Sequence, residues 1–401
     1  MKVLIVDLGS KFNALGGQAR VAAILNKKLG RYFQTYYLGY RTEYSKGMRN
    51  PIFLERQKRL GLSVRRSRIS EMWPTRFAYN LLIVRGMRDL DKHGLLERIR
   101  KINPEFIIAN SIQDINLIRF LRKKGLSFKA IYIDHGSVST SIGSYFSKEG
   151  IPLTVGTGID SHTVAAKKRK FFGFYDMNVA LNKNQLQAML KFTKKVALVH
   201  NGMDIDARRD RRRESELMKK YGISSNDFVI LYIGRMFDRQ KNVSSLIRAF
   251  REINAGQVKL LLVGDGPSLS GYKILAEGDN RIIFAGSAND RDVNSIYNIS
   301  NLFVLPSFWE GFSLTILEAA SHLLPMALSR NAYIEDLRSK DIGKIVSFDP
   351  GNEAAIRESM IELYSDGELR KKAISASEKI KNKFTEKNMI DGYKRVIDRL
   401  S

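Results

Sequence analysis

The sequence predicts an α/β protein built as two doubly wound, Rossmann-like domains that face each other across a cleft. Three observations carry this. Short apolar, β-branched runs alternate with stretches of helical periodicity, the pattern of a parallel sheet covered on both faces. The alternation breaks at an arginine-rich stretch near residue 206 and then restarts. The chain has 401 residues, 44% of them hydrophobic, enough for two to three domains with substantial cores.

Residues 2–8 (KVLIVDL) read as a buried strand. A loop over 9–17 leads to a helix from residue 18 to 29 with Ala, Val, Ile and Leu on one face. Further strands are expected at 106–109 (FIIA), 130–134 (AIYID), 179–181 and 196–199 (VALV), with helices over 116–124 and 183–191. In the second half the strands are 228–234 (FVILYIG), 258–264 (VKLLLVG), 282–285 (IIFA), 302–306 (LFVLP) and 326–328. Helices over 243–253, 290–298 and 313–321 fall between them. The stretch 206–216, with Arg208, Arg209, Arg211, Arg212 and Arg213, reads as a linker or solvated turn, and residues 365–401 read as helical. The expected division is therefore residues 1–203 and 204–385, followed by a last helix over 386–401. Ligands of such folds bind at the carboxyl ends of the strands.

Composition narrows the chemistry. The absence of cysteine excludes disulfides, iron–sulfur clusters, cysteine nucleophiles and thiolate zinc sites. Residues 1–8 are too short and too soon interrupted by Asp7 for a signal peptide. No apolar run approaches about 18 residues, so no spanning helix is expected. The formal charge of +26 is uneven: residues 1–203 hold 36 Lys+Arg and 13 Asp+Glu, whereas residues 204–401 hold 31 and 28. An excess confined to the first half points to a polyanionic partner there, whether nucleic acid, an anionic membrane face or a phosphorylated substrate.

The stretch 306–325 (PSFWEGFSLTILEAASHLLP) is the most informative. A strand ends at Leu305, a turn holds Glu310, Gly311 and Phe312, and a helix begins near Ser313. The unpaired N–H groups of Ser313, Leu314 and Thr315 then face the cleft as a phosphate site. Gly311 permits close backbone approach. Glu310 and Glu318 can accept hydrogen bonds from sugar hydroxyls, although each alone equally suits a cap or a surface helix charge. Gly234-Arg235 at a strand end, with Lys241 beyond, suits a diphosphate. Gly16-Gly17 before the first helix can bring backbone amides to a ligand, and His135 at a strand end can reach substrate or serve structurally.

Together these residues resemble family 4 retaining glycosyltransferases (glycosyltransferase group 1) with the GT-B fold. The resemblance rests on Glu310-x7-Glu318 within PSFWEGF-x-L-x-x-LEA, on Gly16-Gly17, His135, Asn201-Gly202-Met203-Asp204, Gly234-Arg235 with Lys241, and Gly264-Asp265-Gly266-Pro267. It spans the chain in family order. It implies an acceptor-side first domain, a nucleotide-sugar-binding second domain, and a closing segment, 384–401, that crosses back onto the first domain.

The resemblance further implies a UDP- or GDP-sugar co-substrate and hexose transfer with retention. Arg235 and Lys241 would neutralise the diphosphate, Glu318 would bind the ribose, Glu310 the transferred sugar, and Gly16 and Gly17 the phosphate or sugar from the opposite domain. Backbone groups of 284–287, including Gly286, would border the base, and His135 would approach sugar and acceptor. There are departures: one extra residue between Arg235 and Lys241, Leu324 where glycine is common, His200 where proline is common, and a loop over 330–335 without glycines. Asp290-Arg291-Asp292 and Asp204-Ile205-Asp206 imitate a metal-binding Asp-x-Asp, but the cations make no metal the expectation.

Two clusters concentrate the first domain's charge. One spans 56–88 with Arg65, Arg66, Arg68 and Trp73; the other is Lys167, Lys168, Arg169, Lys170, Phe171 and Phe172. Cations beside exposed rings suit docking on an anionic membrane. The expectation is a lipid-linked acceptor or cell-surface glycan precursor, met by a cytoplasmic, peripheral membrane enzyme. A soluble acceptor, a sugar-nucleotide epimerase and a phosphorylase are nearer alternatives than a nucleic-acid-binding protein, for which no helix-turn-helix, zinc-finger or RNA-binding signature is present.

Overall fold

A computed structural model of the chain describes residues 1–9, 17–54, 94–112, 114–136, 161–332 and 334–401. The first sheet takes seven strands: β1 (Lys2–Asp7), β2 (Gln34–Tyr40), β3 (Pro51–Leu54), β4 (Phe106–Ala109), β5 (Lys129–Asp134), β6 (Met177–Ala180) and β7 (Val196–Leu198). Their order is β3-β2-β1-β4-β5-β6-β7, parallel throughout. The order reverses beside β1, so the crevice that binds ligands in doubly wound sheets opens at the carboxyl ends of β1 and β4.

The second sheet takes β8 (Phe228–Ile233), β9 (Val258–Val263), β10 (Ile282–Gly286), β11 (Leu302–Leu305), β12 (Met326–Ser329) and β13 (Val346–Phe348). Its order is β10-β9-β8-β11-β12-β13, again all parallel. The switch lies between β8 and β11, the strands that lead into Arg235 and Glu310. Runs such as LFVL in β11 are wholly buried because helices cover both faces. This is the α/β architecture the strand–helix alternation predicts. The sequence reading omits β2, β3 and β13: β2 (QTYYLGY) is aromatic rather than aliphatic, and β13 has only three residues.

The stretch read as a linker is one only in part. From Arg211 it is a helix, Arg211–Tyr221, ended by Gly222 in the left-handed conformation, and it packs on helix Asp290–Asn298 of the second domain. Its arginines are engaged: Arg209 holds the buried Glu214, and Arg213 bridges to Asp292 at 2.7 Å.

The last helix, Glu386–Asp398, packs on helix Gly17–Leu29 of the first domain, with Lys28 and Glu386 paired at 2.9 Å. Two glycines permit the crossing. A Cβ on Gly202 would fall 1.9 Å from the carbonyl oxygen of Thr385, and one on Gly392 would fall 2.7 Å from Val199 Cγ1. Among the described residues no helix is long and apolar enough to cross a membrane.

Candidate active site

Helix Leu314–Ser321 starts where the turn after β11 ends. Its N-cap, Ser313, makes no capping hydrogen bond; its hydroxyl meets the Thr315 hydroxyl instead, at 2.8 Å. Neither this helix nor helix Gly17–Leu29 carries an acid in its first turn, a trait shared with the helices beginning at Ser161, Lys183, Val243 and Leu269, whereas those beginning at Arg211, Glu353, Gly367 and Glu386 carry Glu214, Glu353, Glu368 and Glu386 there. An acid in the first turn satisfies the positive end of the helix dipole, so these two ends remain available to an anion.

The two ends meet. A Cβ on Gly17 would lie 3.3 Å from Leu314 Cδ1. One turn further on, Arg20 forms an ion pair with Glu318. Contacts 17 to 314 and 20 to 318 place the helices side by side with both N-termini at the same end of the cleft. Glu318 is 7% exposed, and its second oxygen accepts from the Tyr297 hydroxyl at 2.8 Å. The carboxylate read as a ribose ligand is thus held by one donor from each domain, a feature the sequence reading misses.

Lys241 ends the short helix Asp238–Lys241, which overlaps the stretch 236–240 where the extra residue falls. Asn242 follows in the left-handed conformation (φ 53°) and donates to the Pro350 carbonyl at 2.6 Å. Lys241 Nζ meets Glu310 Oε1 at 2.6 Å, with the side chains 15% and 7% exposed. The turn carrying Glu310 is pinned to the same helix: Phe308 N–H donates to the Gln240 carbonyl at 2.8 Å, and Gln240 Nε2 donates to the Trp309 carbonyl at 3.3 Å. Arg235 is exposed, its guanidinium 5.4 Å from the Phe237 ring centroid. The Gly264–Gly266 loop makes this packing possible, since Cβ atoms there would fall 1.9 Å from the Gly234 carbonyl oxygen and 2.3 Å from that of Met236. Gly286 ends β10 at φ 70°, after a register shift against β9.

The Glu310-Gly311-Phe312 turn is wedged into the first domain. Asn182 Nδ2 donates to the Gly311 carbonyl, and Asn201 Nδ2 to that of Phe312 at 3.1 Å. A Cβ on Gly311 would lie 2.9 Å from the His135 carbonyl oxygen. His200, in the position commonly proline, bonds Asp336 Oδ1 at 2.6 Å across the domains. Burial would raise the Asp336 carboxyl, but hydrogen bonds from His200 and the Lys183 N–H outweigh it and hold the group below its ordinary value.

His135 is held from behind. Asn110 Nδ2 donates to the Gln18 carbonyl at 2.8 Å, so its Oδ1, 3.0 Å from His135 Nε2, accepts from that nitrogen. The ring proton is thereby assigned to Nε2, leaving Nδ1 an acceptor. Burial pushes the imidazole down to about 4, so the ring is neutral near pH 7.

The expected surface clusters fare unevenly. Gly16, Arg65, Arg66, Arg68 and Trp73 lie outside the described residues. Lys167 belongs to helix Ser161–Gly173, on which Arg169 and Lys170 are exposed. Lys168 is half-buried over the Phe192 ring. The expectation of outward rings is corrected: Phe172 is fully buried, and Phe171 packs edge-on against Tyr132 with centroids 5.0 Å apart. Three aspartates of the two acidic pairs have other partners. Asp292 is bound by Arg213, Asp206 by Arg208, and Asp204 caps the Glu386 N–H.

Residues 213–380 match the family described as Glycosyl transferases group 1. Among curated proteins, N-acetyl-alpha-D-glucosaminyl L-malate synthase of Bacillus anthracis is 28% identical over 219 residues, covering 53% of this chain and 56% of the relative. UDP-Gal:alpha-D-GlcNAc-diphosphoundecaprenol alpha-1,3-galactosyltransferase of Escherichia coli is 32% identical over 144 residues, 34% of this chain and 36% of that protein. The chain thus matches about half the length of the first relative and about a third of the second. Among solved structures, Anabaena HepE in complex with UDP and glucose superposes with a TM-score of 0.73 at 15% identity, each chain covered in full. That likeness establishes the GT-B fold.

Proposed function

We propose that this chain, whose second domain matches the group 1 glycosyltransferases, transfers a hexose from a nucleotide-diphosphate sugar to an acceptor held by the first domain. The observation that carries this reading is the pair of acid-free helix N-termini set side by side at the cleft, flanked by Lys241–Glu310 and by Arg235. An anion with two phosphates fits that charge pattern, and a UDP-sugar is the first donor to test, given the UDP bound in the HepE neighbour.

In the proposed reaction negative charge develops on the departing diphosphate. Lys241 and the Ser313–Thr315 amides are held in place before the reaction, which is the condition for electrostatic stabilisation, and the exposed Arg235 would add its charge from the cleft. Glu310 orients the sugar while Lys241 keeps it from standing as a lone buried charge. Neutral His135 presents Nδ1 as an acceptor toward sugar or acceptor hydroxyls. Among the described residues no side chain in the cleft is placed as an obvious covalent nucleophile. The resemblance to retaining enzymes makes retention the proposed course, through an oxocarbenium-like state with the leaving phosphate taking the acceptor proton. No metal is assigned a role, because Asp204, Asp206 and Asp292 are committed to other partners.

The relatives' names give two acceptor types, L-malate and a diphosphoundecaprenol-linked sugar. The cationic excess of residues 1–203 favours the lipid-linked one, at the inner face of the cell membrane. Because Phe171 and Phe172 face inward, attraction through that helix would be electrostatic, through Arg169 and Lys170. Two assays test the proposal: thermal stabilisation across a panel of nucleotide sugars, and release of nucleoside diphosphate dependent on a polyprenyl-diphosphate sugar acceptor. Release without any acceptor, or none with every donor, contradicts it. Flotation with vesicles lacking anionic lipid, equal to that with anionic vesicles, contradicts the membrane reading.

A further inference from the structure

We propose that Arg20 is a positioning residue of the donor site, contributed by the first domain, which orients Glu318 and makes nucleotide binding depend on domain closure. The inference rests on the donor reading above and assigns a role to a side chain outside the signature residues. Arg20 lies on helix Gly17–Leu29, and its ion pair with Glu318 spans 298 residues of sequence. Among the described residues Glu318 is its only polar partner, and the rest of its environment is the Tyr44 ring, 5.7 Å from its guanidinium carbon. Among the described residues the first domain therefore offers this guanidinium no carboxylate of its own.

Glu318 is the complementary case. Within its own domain it receives the Tyr297 hydroxyl, a neutral donor on a fully buried ring. A neutralising charge, that of Arg20, comes from across the cleft. When the domains part, the carboxylate loses the Arg20 cation and with it a donor that helps to fix its plane. A carboxylate with about four acceptor sites can hold both these donors and a vicinal diol together. A ribose therefore meets an oriented Glu318 in the closed form and a loosely held one in the open form. By linkage, a ligand that prefers the closed form must also favour closure by the same factor.

Arg20→Gln, Arg20→Lys, Glu318→Gln and the double variant Arg20→Gln/Glu318→Gln test this, with UDP as the calorimetric probe and small-angle scattering of the ligand-free proteins as a second readout. The expected result is that Arg20→Gln weakens UDP by about tenfold or more, as removing one partner of a largely buried ion pair does. Arg20→Lys restores part of the loss, and the double variant is no worse than the poorer single. Scattering should show a larger radius of gyration for Arg20→Gln than for wild type. An unchanged UDP affinity in Arg20→Gln while Glu318→Gln loses binding overturns the proposal and leaves the donor reading intact, as do additive losses in the double variant. A wild type that binds neither UDP nor GDP overturns the donor reading and this proposal with it.

Discussion

Lys241→Met isolates the ion pair at the centre of the site. Lys241 Nζ lies 2.6 Å from Glu310 Oε1, and the side chains are only 15% and 7% exposed. Removing the cation leaves a nearly buried carboxylate without its neutralising charge. Loss of one partner of a buried pair costs about 3 kcal/mol at the low end of the measured range, the end appropriate to a pair lining a cleft. For a domain of this size that corresponds to a fall of roughly 6–12 °C in Tm. Adding Glu310→Gln removes the stranded charge, so the double variant should recover most of the lost Tm. Activity should behave oppositely, low in the single variant and low in the double, because both groups are proposed to act on the transferred sugar and its leaving group. Calorimetric melts and initial rates on the same preparations give both readouts. A single variant within about 1 °C of wild type would refute the electrostatic argument. Activity restored along with Tm in the double variant would refute the catalytic one.

Three further outcomes follow from the geometry. Gly311→Ala places a Cβ 2.9 Å from the His135 carbonyl oxygen, a backbone atom of the opposite domain; it should lower kcat/KM about tenfold by opposing closure, with each domain still folded, as overpacking by one methyl costs about 1–3 kcal/mol. Gly202→Ala meets the Thr385 carbonyl oxygen at 1.9 Å, so it should lower Tm more than Gly311→Ala does; equal melts would count against the crossing geometry. His135, with a folded value of about 4 against an ordinary 6.5, makes the unfolded chain the better proton binder between those values. Stability should therefore fall as pH drops from 6.5 toward 4, and His135→Gln should flatten that slope; an unchanged slope would discount the burial of this imidazole.

What was legible in the sequence depended on distance along the chain. Glu310, Gly311, Ser313 and Glu318 lie within one strand–turn–helix unit, so their mutual placement follows from local periodicity. Buried runs such as VKLLLV and LFVL announce parallel strands for the same reason. Arg20 with Glu318 joins residues 298 apart, and Asn182 with Gly311 joins residues 129 apart; no local pattern marks such pairs. The Gly264-Asp265-Gly266-Pro267 stretch was recognisable by likeness alone, and its physical reason, close approach to the Gly234 and Met236 carbonyls, required the fold. The rings of Phe171 and Phe172 were misread because aromatics beside lysines suit a membrane face and a helix-to-sheet contact equally; the packing against Tyr132 decides for the latter. Arg208, Arg209, Arg211 and Arg212 are exposed as a solvated stretch predicts, and Arg213 departs from it because the Asp292 that receives it lies 79 residues away.

The central claim, that the cleft between the two helix N-termini holds a nucleoside diphosphate, is tested most directly by calorimetric titration of UDP and GDP into wild type and Lys241→Met. The account predicts one-to-one binding of one nucleotide to wild type and a loss of about tenfold or more in the variant. Binding of equal affinity in both proteins, or no binding of either nucleotide to wild type, would contradict it.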